Sequence, residues 1–203
     1  MQPTEPISAD EFDNTIHKIK FYKIIDGIGF AFCGMWLDSS TRQWLNDVIC
    51  DTVPTIVFTH DEPDIEAKHL INPHRGHRIT SRHGLAHLVP DTSRLLSQGK
   101  TAVAEHRQLA NFLSNHPTIK AYFHGNTNYN EFYIWHGPDN NIKIPVFRVD
   151  SPMKGEYSAF DERLLSFQVV VIDLEEKRMT VRECLWNTDN SPIAWGASYT
   201  IEL

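Results

Sequence analysis

The chain has no excess of cationic residues: its 203 residues carry a formal net charge of -7. Sequence-independent binding to nucleic acid depends on Lys and Arg replacing condensed counterions, so this balance argues against that class of partner. No apolar run approaches the roughly 20 residues that span a bilayer. The start, Met1-Gln2-Pro3-Thr4-Glu5-Pro6, has neither the basic residues nor the apolar stretch of a secretory signal. No membrane association and a cytoplasmic location are the expectations. Cysteine is scarce: Cys33, Cys50 and Cys184 are widely spaced and odd in number, unlike a disulfide framework or the close pairs of a zinc site. All three read as reduced core residues. No internal repeat or low-complexity segment interrupts the chain, and residues 1–203 suit a single domain with a substantial core.

What is present centres on Pro54-Thr55-Ile56-Val57-Phe58-Thr59-His60, a β-branched apolar run that stops at a histidine and turns through Asp61-Glu62-Pro63. Such a run reads as a strand buried on both faces of a parallel sheet, with His60 at its carboxyl end, where open α/β sheets place ligands. A second copy follows: Thr118 to Phe123, then His124-Gly125-Asn126-Thr127-Asn128. Val103, His106, Leu109, Ala110 and Leu113 recur at helical spacing before Pro117, so a strand, a helix and a strand form a crossover unit. If the two strands are neighbours, His60 and the residues after Phe123 share one edge.

The remaining chain reads mainly as hairpins. Asp26-Gly27 separates strands at 20–25 and 28–36, and Asp38-Ser39-Ser40 offers a cap for a helix carrying Trp44, Leu45, Val48 and Ile49 on one side. Strands are expected at 131–135, 144–149, 167–174 and 179–186, with a short one at 198–201. Trp135, Trp186 and Trp195 read as core or interface aromatics. Ser8-Ala9-Asp10-Glu11 has capping-box spacing for a short helix. Between Asp61 and Lys100 the chain is polar and rich in His and Arg, including His69, His74, His77, His83 and His87. That loop reads as an exposed insertion. A zinc site using His83 and His87, or a phosphate clamp of Arg75, Arg78 and Arg82, is the alternative.

As a set these features resemble the calcineurin-like metallophosphoesterases. The strand ending in His60 is similar to the family's fourth motif block, and Gly125-Asn126-Thr127-Asn128 to the fifth, Gly-His-x-His or Gly-His-x-Asn. Glu11-Phe12, Asp26-Gly27-Ile28-Gly29-Phe30, Gln43-Trp44-Leu45, Asn130 to Tyr133 and Phe147 to Pro152 also look like family segments. The resemblance implies an α/β fold, part of a sandwich of mixed β-sheets with flanking helices, with antiparallel hairpins in the carboxyl-terminal third. It implies metal-dependent hydrolysis of a phosphate ester, divalent Mn, Fe or Zn as cofactor, and His60, Asn126 and Asn128 as the positions of metal ligands.

The sequence departs from the family where the chemistry is most demanding. It contains no Asp-x-His, Gly-Asp or Gly-Asn-His block, and Asn126 stands where the family usually has a histidine. A two-metal centre holds ions roughly 4 Å apart with several anionic or imidazole ligands. One imidazole and two neutral amides cannot supply that set. The expectation is therefore an incomplete phosphoesterase whose activity needs an upstream segment or a partner chain, with no catalytic residue assignable. The alternative is a non-catalytic binding or assembly module on a degenerate scaffold. Missing neighbours would leave exposed strand edges, so self-association or a partner is expected.

Overall fold

The structure, a computed structural model, describes residues 20–65, 103–152, 155, 157–161, 163–186 and 192–203. The expected helix at Ser8 and the His69 to His87 loop lie outside them.

Asp26-Gly27 makes the first turn. Both residues take positive φ, 48° and 81°, the backbone of a two-residue hairpin whose twist matches its strands. It joins β1 (Phe21–Ile25) to β2 (Ile28–Phe32). The strand stops earlier than its apolar pattern suggests: Cys33 and residues 35–37 are buried but lie outside the regular strand. Helix α1 (Ser39–Val48) starts where expected, Asp38 accepting from the Thr41 N–H at 2.6 Å and so satisfying one orphan donor of the first turn.

Then come β3 (Thr55–Phe58), α2 (Val103–Asn115), β4 (Ile119–His124), β5 (Glu131–Trp135) and β6 (Ile144–Arg148). These strands form a six-stranded mixed sheet in the order β1-β2-β3-β4-β6-β5. Its four central strands run parallel, and β1 and β5 close the edges antiparallel. A second, antiparallel sheet holds β7 (Leu165–Asp173), β8 (Arg178–Trp186) and β9 (Ile193–Glu202), in that order. The last strand is longer than the short one expected. The chain is thus α/β with mixed and antiparallel sheets, and β3 and β4 are parallel neighbours as the crossover reading requires.

Alternation along the central strands separates two cores. Val57, Tyr122 and Val146 face Leu45 of α1 and Leu109, Ala110 and Leu113 of α2, while Ile56, Ala121, Phe123 and Phe147 face Met179, Val181 and Ile201 of the second sheet. With both faces covered, strands need apolar residues at every position, which explains their continuous apolar runs. The cysteines divide. Cys33 and Cys184 are buried as expected, but Cys50 is exposed, because it falls beyond the end of α1 where, among the described residues, no second element covers it. Trp135 is buried, whereas Trp186 and Trp195 lie on the exposed part of the second sheet.

One feature of the packing goes unmarked in the sequence pattern. Each strand of the larger sheet contributes a phenylalanine to one row: Phe21, Phe32, Phe58, Phe123, Phe147 and Phe132 are successive cross-strand partners. Ring centroids are 5.6, 4.7, 5.1 and 4.7 Å apart from Phe21 to Phe147, and Phe132 meets Phe147 edge-on at 5.5 Å. Offset-stacked and edge-to-face pairs at such spacings add to area burial. The row lies at the carboxyl end of β3 and one residue before the ends of β4 and β6, and aligns the polar residues that follow.

Candidate functional site

The ladder continues past the strand ends, so the polar edge is built on fixed backbone. Thr59 N–H donates to Phe123 O at 2.9 Å, Gly125 N–H to His60 O at 3.0 Å, and Val149 N–H to His124 O at 2.8 Å. His60 and Asp61 reach across to the chain after β2, their N–H groups donating to Gly34 O at 2.9 Å and Met35 O at 2.8 Å. The carbonyl of Asp61 accepts from Tyr122 Oη at 3.0 Å and Thr59 Oγ1 at 2.8 Å, and Trp36 Nε1 donates to Glu62 O at 3.1 Å. His60 and the Gly125 to Asn128 turn therefore share one edge.

The side chains on that edge pair with carboxylates. His60 Nδ1 lies 2.6 Å from Asp61 Oδ1, and Asn126 Nδ2 donates to Glu62 Oε2 at 3.1 Å. Asp61 raises the pKa of His60 by hydrogen bonding, against the opposing effect of burial. Asn126 and Asn128 both have positive φ, 72° and 57°, which asparagine tolerates better than most residues. His124 is buried, with Nδ1 3.0 Å from Gly125 O and Nε2 3.2 Å from Tyr133 Oη. Burial, helped by the Arg148 charge, pushes its pKa down to about 3. The Glu62 carboxylate 3.9 Å away consequently faces a neutral ring, not an imidazolium.

Arg148 is engaged rather than waiting for an anion. Its guanidinium bonds to Tyr129 Oη and Glu131 and lies 4.5 Å from the Tyr129 ring centroid. Beside it a polar joint closes this end of the sandwich: Asn130 Nδ2 donates to Ser166 Oγ at 2.9 Å and Glu183 Oε1 at 3.1 Å, and Ser166 donates to Asp150.

These contacts do not make a two-metal ligand set. His60 Nδ1 and the Asn126 amide nitrogen already face carboxylates, and among the described residues no group of three or more His, Cys, Asp or Glu side chains is placed to hold an ion. His60, Asn126 and Asn128 are legible as candidates in the sequence, whereas Asp61 and Glu62, the carboxylates of this edge, read there only as turn residues. The signal was present in two carboxylates directly after the strand-end histidine. Among the described residues no helix is long and apolar enough to cross a membrane. The chain matches no protein-family model, no curated protein and no solved structure.

Proposed function

We propose that this chain is a calcineurin-like phosphoesterase scaffold, part of that family's sandwich, whose edge supplies an incomplete set of ligands and does not hydrolyse phosphate esters by itself. The observation that carries this reading is the parallel pairing of β3 with β4, which puts His60 beside Gly125-Asn126-Thr127-Asn128 as the family's last two blocks require. His60 supplies one imidazole, and Asn126 and Asn128 supply amide oxygens. Hydroxide formation at a divalent Mn, Fe or Zn pair needs more anionic ligands than these. The rest would come from a partner chain or a further segment. With Mn²⁺ or Zn²⁺ and an aryl phosphodiester, the purified 203-residue chain is expected to show no turnover above the metal-only control. Robust turnover that is lost in H60A would reject the reading.

The hydrogen bond from Asn126 to Glu62 favours a second reading, a binding or assembly module in which the amides serve the turn and not a metal. Elemental analysis after dialysis against zinc separates the two: a stoichiometric ion retained by the wild type and lost in H60A excludes the module. Either reading leaves Phe21, Ile24, Ile25 and Phe32 exposed on the β1 edge and its neighbour. Among the described residues β1 is the outer strand of its sheet, with Lys23 as its one charged residue, and these exposed apolar side chains favour self-association at micromolar concentration. A monomeric mass by light scattering would contradict it.

A further inference from the structure

His60 and Asp61 differ sharply in environment: the imidazole is 49% exposed, the carboxylate it touches 0%. Asp61 has little freedom to move. Its N–H donates to Met35 O and its carbonyl accepts from both Tyr122 and Thr59, so the backbone is held from three sides. Among the described residues no donor reaches Asp61 Oδ2, which leaves the ring of His60 as the side-chain partner of this carboxylate. A carboxylate oxygen accepts, so the nitrogen facing it bears the proton, and in a neutral imidazole the other nitrogen then carries the lone pair. Losing that N–H would strand a buried carboxylate, which costs more than a surface hydrogen bond is worth.

We propose that Asp61 is the positioning residue of this edge: it holds neutral His60 as the Nδ1–H tautomer and leaves Nε2, on the half-exposed ring, as the atom presented to a ligand. His124 cannot take this part, because Gly125 O and Tyr133 Oη face its two nitrogens. The use of the Nε2 lone pair as a metal ligand rests on the proposed function; the tautomer does not. A carboxylate behind an imidazole fixes ring orientation and raises basicity at the far nitrogen.

Long-range ¹H–¹⁵N correlation of the His60 ring at about pH 9, above the ordinary imidazole range, tests this directly. The signals are identified by their loss in H60Q. The wild type is expected to show the Nδ1–H pattern, D61N to keep it because the amide oxygen still accepts, and D61A to shift toward Nε2–H. An Nε2–H pattern in the wild type overturns the proposal even if D61A does not fold. So does a folded D61A with an unchanged ring. Adding zinc to the wild type reads the proposed function separately. A shift confined to Nε2 supports both, a zinc effect on Nδ1 overturns the positioning role, and an unperturbed Nδ1–H ring rejects metal binding while supporting Asp61 as the positioning residue.

Discussion

Replacing Phe147 by Ala should lower the free energy of unfolding by about 3–5 kcal/mol, the range for truncating a buried aromatic. Phe147 is 0% exposed and touches Phe123, Phe132 and Tyr199, so its loss leaves a cavity where the two sheets meet. The same substitution at Phe32, in the same row but 41% exposed, should cost about 1 kcal/mol in the monomer. The contrast follows from where the second sheet lies: it covers the Phe123 and Phe147 end, and the row emerges from beneath it toward β1. Denaturant titration at low concentration measures both, as shifts in midpoint at constant slope. Equal costs in the monomer would mean that the row is not covered unevenly. Because the row precedes His60, His124 and Arg148, F147A is also expected to loosen the candidate edge, visible as faster amide exchange at Gly125.

Below pH 6.5 the protein should lose stability with a slope approaching roughly 1.4 kcal/mol per pH unit from His124 alone. The sign follows from proton counts. The folded state holds His124 near a pKa of about 3, against an ordinary 6.5, so as pH falls below 6.5 the unfolded chain takes up a proton that the native chain refuses. The contribution is fully present above the unfolded value and is lost as pH falls toward the folded one. Groups facing the ring are Tyr133 of β5, Arg148 of β6, and His60 and Glu62 of the turn after β3. His106, whose pKa burial also lowers, acts in the same direction. His60 acts oppositely and elsewhere: its raised value stabilises fully below 6.5 and fades as pH rises above it, leaving the acid window flat. Urea unfolding between pH 6.5 and 5, where carboxylates remain largely ionised, should give a flatter slope in H124Q than in the wild type. Identical slopes would mean that His124 titrates normally in the fold.

Much of the architecture was legible because local rules and burial agree. The Asp26-Gly27 turn, the Asp38 cap and the apolar runs at 55–58 and 119–123 each combine a local backbone preference with the burial their place in the fold demands. Strand ends were less legible. Cys33 to Leu37 continue the burial of β2, and Cys33, Gly34 and Met35 still bond to the chain at and after Phe58, but the regular strand has ended, and periodicity reports burial only. Cys50 is exposed against its residue type for a related reason: residue type gives a tendency to burial, whereas exposure depends on whether another element arrives.

By itself the sequence determined the kinds of elements, the α/β class and the placing of a histidine and an asparagine turn at strand ends, since these depend on short-range periodicity and turn chemistry. Only the tertiary structure decided that β3 and β4 are neighbours, that six phenylalanines distant in sequence form one row, and that His60 is held by Asp61 while Asn126 is held by Glu62. Those facts depend on register between strands, and register is set by the sum of many packing contacts rather than by any residue's own preference. His60 is a strand-end histidine on the sequence; in the fold it is half of a pair whose other member is buried.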